Sequence, residues 1–253
     1  MTNIYHIVYF ERDKSIYIFF RGCNFACKGC ILRLSPWDCH LPPSLYSKLQ
    51  GRSASQTLSQ AEAGFLIERL EVERAVLGGG EPTVDMELPS ILRLLSDRNI
   101  YTILLTNGHN LDADMVQSLE AAGLNEVCVS IKAFTDNIHT YYTGASNQKL
   151  LENFKRLNKR RMRLRAESIL IPGFIDVDEI ECVARFIASL NPAIPYRIDA
   201  YIRVPGAPWP DASSESVRRA AEAARKYLEN VSYLNADVPI VGGVKVIYPE
   251  VQS

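Results

Sequence analysis

The sequence has almost no excess charge of either sign and contains no long hydrophobic run. Its 253 residues include 28 Lys and Arg against 29 Asp and Glu, a formal net charge of −1. A chain so balanced has no net basic field, which argues against nucleic-acid binding driven mainly by bulk electrostatics. The apolar runs are only a few residues long, too short to span a bilayer. Residues 1–10 lack a basic segment followed by a long apolar core, so we expect no signal peptide and a cytoplasmic protein.

The overall composition is that of an ordinary globular protein. Hydrophobic residues make up 47% of the chain and charged residues 23%, and the length suits one large domain or two small ones. No break in composition marks a boundary between domains. We therefore expect a single domain over residues 1–253, with a core at about 15–206 and a helical C-terminal extension at 207–253.

The cysteines are the unusual feature of the sequence, because they are unevenly placed. Three form a C-x3-C-x2-C array, Cys23, Cys27 and Cys30, and the other three are scattered at Cys39, Cys128 and Cys182. Thiols of a cytosolic protein stay reduced, which argues against disulfides. Three thiolates in one loop can instead face one soft metal centre.

Two kinds of metal centre are compatible with this array. Zinc normally takes four ligands, and Cys39-His40 could supply the fourth, although without a recognisable ribbon or finger pattern. An iron–sulfur cluster is held by cysteine thiolates, and three of them would leave one iron open to a substrate or cofactor. The ligand preferences favour the cluster.

Strand and helix patterns alternate along the chain. Strands are predicted at residues 15–20, 75–77, 101–105, 126–132, 164–171 and 196–204, with a further short strand at 244–248. Helices are predicted after a capping box at Ser59 and Glu62 and at residues 88–96, 112–122, 148–159, 177–190 and 216–229. The alternation indicates an α/β fold with a parallel sheet. Six main strands are too few for a closed eight-stranded barrel, so we predict an open, partial (β/α)6 barrel.

The unusual residues all follow or end these strands, where the loops of a parallel sheet carry its site. The cysteine array follows the first strand, Gly78-Gly79-Gly80-Glu81-Pro82 the second, and Thr106-Asn107-Gly108 the third. Ser130 and Lys132 end the fourth strand, and Glu167 lies on the fifth. A buried lysine is costly without a partner, so Lys132 should contact either a bound ligand or Glu167.

With the array Cys23–Cys30 and the downstream Gly79-Gly80-Glu81-Pro82, the sequence resembles the radical S-adenosylmethionine (SAM) superfamily. The resemblance implies one [4Fe-4S] cluster on Cys23, Cys27 and Cys30, with SAM chelating the open iron and Gly79, Gly80 and Glu81 lining its amino group. Reductive cleavage of SAM would give a 5′-deoxyadenosyl radical that abstracts a hydrogen atom. The protein itself would then supply positioning and exclusion of water.

A narrower resemblance is to the glycyl-radical-enzyme activating enzymes, such as pyruvate formate-lyase activase. It rests on Ser130-Ile131-Lys132, followed by His139, Thr143-Gly144 and Asn147. It implies SAM contacts from Ser130 and Lys132, a weaker one from Asn107, a glycyl radical enzyme as partner, and an external electron donor such as flavodoxin or ferredoxin. The sequence departs from that pattern in three places: Ser130 and Leu105 replace aspartates, and Gly29 replaces an aromatic residue.

Several alternatives stay open at this point. One alternative is a radical SAM enzyme that acts on a small molecule, peptide or RNA, for instance a deazapurine synthase. Another is a binding protein without catalytic activity that holds an iron–sulfur cluster or zinc. His139 is either structural or catalytic. Glu167 is either a site carboxylate or the partner of Lys132. The basic stretch at residues 155–165 is either a solvated helix end or a docking patch.

Overall fold

One mixed sheet organises the protein. The computed structural model describes residues 1–39, 41–235 and 242–251. In these residues nine strands form one sheet in the order β8-β7-β6-β5-β4-β3-β2-β1-β9. The strands are β1 Ile4–Phe10, β2 Ser15–Phe20, β3 Arg74–Gly79, β4 Tyr101–Thr106, β5 Glu126–Ser130, β6 Arg163–Leu170, β7 Tyr196–Ala200, β8 Val231–Leu234 and β9 Val244–Tyr248.

Neighbouring strands from β2 to β8 are parallel, whereas β1 is antiparallel to both β2 and β9. Helices connect the parallel strands: α1 Pro43–Leu49, α2 Gln60–Glu68, α3 Leu88–Ser96, α4 Ala113–Ala121, α5 Asp136–Thr143, α6 Gln148–Leu157, α7 Val177–Leu190 and α8 Ser214–Ala224. The predicted α/β partial barrel is confirmed, because strands β2–β7 are the six expected parallel strands and β8 and β9 are separate edges.

The edges of the sheet differ from the prediction. Strands β1 and β8 were not expected, since β1 shows no alternation of polar and apolar residues and β8 is only four residues long. Residues 207–253, predicted as a helical extension, contain α8 together with β8 and the predicted short strand β9. The single-domain organisation of residues 1–253 stays a prediction.

The two faces of the sheet have different surroundings. Strand residues such as Ile18, Leu77, Leu104 and Ile198 are fully buried in the main hydrophobic core, to which the helices also contribute apolar side chains. A second apolar cluster at the β1–β2 edge joins Phe19 to Trp37, Leu41 and Leu49. On the opposite, inner face, β6 and β7 carry the half-buried polar side chains of Glu167, Arg197 and Asp199.

Local chemistry explains where the helices begin. Ser59 Oγ accepts a hydrogen bond from the backbone N–H of Glu62, and Glu62 Oε2 accepts one from the backbone N–H of Ser59 at 2.7 Å, so the predicted capping box is present at the start of α2.

No helix within the described ranges is long and apolar enough to cross a membrane.

Candidate active site

The cysteine loop, residues 23–30, lies at the carboxyl edge of the sheet and is anchored to α5. The backbone N–H groups of Ala26 and Lys28 donate to the carbonyl oxygens of Thr143 and Tyr142 at 2.8 and 2.9 Å. The last carbonyls of a helix have no partner inside the helix, so they are free to accept these bonds. The end of α5 therefore holds the loop in place.

The three cysteines of the loop are thiols. Cys23 is exposed, and Cys27 and Cys30 are half-buried. Burial raises the pKa of Cys27 to about 11; the ammonium of Lys132 opposes this, and the charges of Cys30 and Cys23 add to it. Burial also raises the pKa of Cys23. Binding of a metal centre must therefore expel protons from these thiols.

The donor set suits an iron–sulfur cluster. The backbone N–H of Cys30 donates to the carbonyl oxygen of Cys27 at 3.3 Å, which folds the loop so that its cysteines lie near one another, and Cys30 and Cys23 both raise the pKa of Cys27. In the described residues no three His, Cys, Asp or Glu side chains converge on one point as a single metal ion requires. A four-iron cluster places each thiolate on a different iron, so the sulfurs need not converge. His40, part of the alternative zinc site, lies outside the described residues.

Beneath the loop, Phe25 packs between two histidines. Its ring lies edge-on to His109 and to His139, with centroid distances of 5.5 Å in both cases. The fully buried His139 donates from Nδ1 to the carbonyl oxygen of Ala145 at 2.8 Å, and burial lowers its pKa. These contacts favour the structural alternative for His139.

Gly29 is surrounded by two buried tyrosines. A Cβ atom at this position would lie 2.8 Å from Tyr142 Oη and 2.9 Å from Tyr201 Cε2. The space that an aromatic side chain at residue 29 would use is therefore filled by residues from α5 and from the segment after β7.

The glycine turn, residues 78–82, packs its backbone against the end of β2. The N–H groups of Gly80 and Glu81 donate to the carbonyl oxygens of Phe20 and Gly22, both at 2.8 Å. Gly79 has φ +88°, in the left-handed region that glycine adopts readily. These two hydrogen bonds hold the glycine turn against the residues that lead into the cysteine loop.

Alanine at position 80 is expected to destabilise this contact. A Cβ atom there would lie 2.3 Å from Gly22 O and 2.7 Å from Phe20 O, and both oxygens belong to the backbone that Gly80 and Glu81 bind. We expect Gly80→Ala to lower the free energy of unfolding by about 1–3 kcal/mol, measured by urea denaturation.

The matched control for that variant is Gly64→Ala. There the nearest atom to a new Cβ is the flexible Leu94 Cδ1 at 2.9 Å, and alanine is the better helix former by about 1 kcal/mol. Equal stability losses for the two variants would contradict the close-packing explanation.

The Glu81 side chain joins the glycine turn to the loop after β4. Its Oε1 accepts from Thr83 N at 3.1 Å, Thr83 Oγ1 at 2.6 Å and Thr106 Oγ1 at 2.7 Å, and its Oε2 accepts from Asn107 N at 2.7 Å. Burial raises the pKa of Glu81, and these hydrogen bonds act against the rise. The carboxylate is thus fully used in joining the two loops.

The side chain of Asn107 reaches the cysteine loop. Its Nδ2 donates to Asn24 Oδ1 at 2.6 Å and lies 3.8 Å from Cys23 Sγ. Its Oδ1 accepts from the N–H of His109 at 3.0 Å. The polar pair of Asn24 and Asn107 was not foreseen, because nothing local marks residues so far apart in sequence as partners.

Lys132 lies just past the end of β5, beside Ser130. Its Nζ donates to Ser130 Oγ at 2.5 Å, and its charge lowers the pKa of Cys27. The side chain is half-buried, and no carboxylate within the described ranges forms an ion pair with it. An unpaired ammonium therefore faces the cysteine loop.

Glu167 forms an ion pair with Arg197, and not with Lys132. Its Oε2 lies 2.8 Å from Arg197 Nη2, and Arg197 also contacts Asp199, with Nη2 2.9 Å from Oδ2. The alternative that Glu167 pairs with Lys132 is therefore wrong. Arg197 and Asp199 were missed, although their alternation with apolar residues in β7 was a readable sign that both face one side of the sheet.

The basic stretch at residues 155–165 lies at the other edge of the sheet, where β6 begins. Arg160 pairs with Glu120 at 3.3 Å, and Arg165 pairs with Glu126 at 3.0 Å. The stretch lies apart from the cysteine loop and some of its charges are paired, which favours the alternative of a solvated helix end.

Known proteins share both the sequence pattern and the fold. The model of the radical SAM superfamily matches residues 17–187. The "Putative glycyl-radical enzyme activating enzyme" of Methanocaldococcus jannaschii is 33% identical over 218 residues, which cover 83% of this chain and 77% of that protein. The isethionate sulfite-lyase activating enzyme of Oleidesulfovibrio alaskensis is 32% identical over 157 residues, covering 60% of this chain and 50% of that one.

A solved structure has the same architecture. The radical SAM methyltransferase from Sphaerobacter thermophilus superposes with a TM-score of 0.64 at 16% identity, covering 91% of this chain and 70% of that one. At that identity the likeness shows the fold alone. From the family match and the relatives together, the chain belongs to the radical SAM superfamily, whose members carry out radical chemistry with a [4Fe-4S] cluster and SAM.

Proposed function

We propose that this protein is an activating enzyme that removes a hydrogen atom from a glycine of a glycyl radical enzyme. The observation that carries the proposal is the loop of three neighbouring thiols held against the glycine turn at the carboxyl edge of the sheet. The relatives named as activating enzymes support the choice of substrate class.

Cys23, Cys27 and Cys30 would hold one [4Fe-4S] cluster, and SAM would bind beside it. When bound, and with one electron from an external donor, these groups would supply a 5′-deoxyadenosyl radical for abstraction of a hydrogen atom from the substrate. The chain's own task is to orient SAM and to keep water away. The buried rings of Phe25, Tyr142 and Tyr201 lie under the loop and support that exclusion.

Polar groups at the same edge are proposed to orient SAM. The amides of Gly80 and Glu81 are engaged with the end of β2, so residues 79–81 would offer carbonyl oxygens to the amino group of SAM. The ammonium of Lys132, with Ser130 beside it, would pair with the SAM carboxylate. Glu167, whose carboxylate is paired with Arg197, is proposed to contact SAM from the inner face of the sheet.

Loss of the Lys132 charge is expected to weaken SAM binding. A hydrogen bond to a charged group contributes about 1.5–3 kcal/mol, so Lys132→Met should raise the KM for SAM by roughly tenfold or more with an unchanged cluster content. The control is Lys149→Met, which removes an exposed charge on α6. An unchanged KM for SAM in Lys132→Met would remove this residue from the proposed site.

The reductant and the substrate are proposed to be other proteins. Cys23 is exposed at the surface of the loop, which suits electron delivery by an external donor such as a flavodoxin or ferredoxin. The open inner face of β5–β7 is where a segment of a partner protein could reach the site.

A second candidate is a radical SAM enzyme that acts on a small molecule, peptide or RNA. The charged group of Glu167, Arg197 and Asp199 on the inner face favours it, because such side chains can recognise a polar substrate. The proposed test separates the two candidates. The protein is reconstituted anaerobically with iron and sulfide, and then incubated with SAM, dithionite and a purified glycyl radical enzyme.

The activating enzyme predicts 5′-deoxyadenosine together with a glycyl radical signal in the partner by electron paramagnetic resonance. 5′-Deoxyadenosine without that signal would favour the second candidate. A cluster without 5′-deoxyadenosine would leave only the non-catalytic module.

A further inference from the structure

The backbone N–H and the side-chain amide of Asn107 both have hydrogen-bond partners. The backbone N–H donates to Glu81 Oε2 at 2.7 Å, and Oδ1 accepts from the N–H of His109 at 3.0 Å. The side-chain amide has two N–H bonds. One is directed at Asn24 Oδ1, 2.6 Å away, and the amide nitrogen lies 3.8 Å from Cys23 Sγ.

Cys23 differs from the other two cysteines of the loop in its donors. Its Sγ accepts from the backbone N–H of Phe25 at 3.3 Å and from the amide of Asn107. In the described part of the chain, the sulfurs of Cys27 and Cys30 have no such side-chain donor. The environment of the three sulfurs is therefore asymmetric.

The Asn107 amide is held in place beside Cys23. The Cys23 sulfur also lies 3.9 Å from Asn24 Oδ1, so the side chains of Cys23, Asn24 and Asn107 form one polar group at the start of the cysteine loop. Since Asn24 Oδ1 also holds the Asn107 amide, the donor is already oriented before any cluster binds.

We infer that Asn107 is a positioning residue for the cluster, which acts by donating a hydrogen bond to the Cys23 sulfur and not by binding SAM. This inference rests on the proposed function, because it requires a cluster on Cys23. Hydrogen bonds to the sulfurs are among the factors that set the reduction potential of such clusters. A donor stabilises the more negative, reduced state, so Asn107 makes the cluster easier to reduce.

The test is a reduction titration of the reconstituted protein in the absence of SAM. Asn107→Ala removes the donor, and we expect the reduction equilibrium to shift about tenfold toward the oxidised cluster, which is ~59 mV for a one-electron couple. Iron and sulfide contents should equal those of the native protein. Asn107→Leu is close to asparagine in shape and removes the donor without adding a charge beside the cluster, so it tests the loss of the donor if the alanine variant folds poorly.

The matched control is Asn110→Ala. Asn110 Oδ1 accepts from Asn24 Nδ2 at 3.2 Å, in the same polar group but without contact to a cysteine. Its variant should titrate like the native protein. The SAM concentration that half-saturates the change in the spectrum of the reduced cluster should stay within about twofold in Asn107→Ala.

The outcomes separate this inference from the proposed function. A native reduction potential in both Asn107 variants, with full cluster content, would overturn the inference and leave the proposed function intact. A tenfold weaker SAM interaction at unchanged potential would assign Asn107 to SAM instead. If the native protein takes up no cluster, the proposed function fails, and the inference fails with it.

Discussion

Cys27→Ala is expected to abolish both cluster binding and the formation of 5′-deoxyadenosine. Cys27 is the central cysteine of the loop, half-buried and under the influence of Cys23, Cys30 and Lys132. Removal of an outer-shell partner of a metal site already costs about 10–100-fold. We therefore expect the loss of a ligand to reduce 5′-deoxyadenosine formation by more than about 100-fold, measured by chromatography after reaction with SAM and dithionite.

The control for Cys27→Ala is a cysteine outside the loop. Cys182 is half-buried on α7, and Cys182→Ala should keep its full iron content and its rate. Persistent cleavage of SAM by Cys27→Ala would show that the ligand assignment is incorrect. Iron loss in both variants would point to a general folding defect instead.

Glu81→Gln is expected to destabilise the protein although it changes no volume. The two carboxylate oxygens accept from the backbone N–H groups of Thr83 and Asn107 on opposite sides. A glutamine has one oxygen, so its NH2 group must face one of these N–H donors. An unsatisfied buried donor costs about 1–3 kcal/mol, and a loss near 2 kcal/mol lowers the Tm by on the order of 4–8 °C at this chain length.

Thermal unfolding of Glu81→Gln should be compared with Glu152→Gln. Glu152 is exposed on α6 and, among the residues that the structure describes, pairs only with Arg156 (i,i+4) at 3.7 Å, so its loss should change the free energy of unfolding by at most about 0.5 kcal/mol. Equal Tm values for the two variants would mean that the buried carboxylate does not join the two loops as its contacts indicate.

Much of the fold follows from patterns within short segments. The six strands β2–β7 and the capping box of α2 depend on neighbouring residues, and each was predicted close to its observed bounds. The helix α5 was not predicted, because its sequence is mostly polar and short. Its carbonyl oxygens nevertheless hold the cysteine loop, which only the packing of the chain reveals.

The candidate site likewise contains residues that the sequence identifies and contacts that only the structure reveals. The residues of the cysteine array and the glycine turn were identified from the sequence, because their spacing is itself the chemical signal. The ion pair of Glu167 with Arg197 was not identified from the sequence, because α7 separates β6 from β7 along the chain and the two side chains meet only when the strands pair. Pairing across strands depends on register, which no short segment contains.

The sequence by itself determined the three thiols, the glycine turn, the α/β alternation and the family they indicate, because each is written in adjacent residues or in a local period. Only the tertiary structure decided that α5 anchors the cysteine loop, that Glu81 is used in joining two loops, that Lys132 lacks a carboxylate partner among the described residues, and that Asn107 faces Cys23. The physical reason is that these contacts join residues far apart in sequence. They form only when the folded sheet brings those residues within hydrogen-bonding distance.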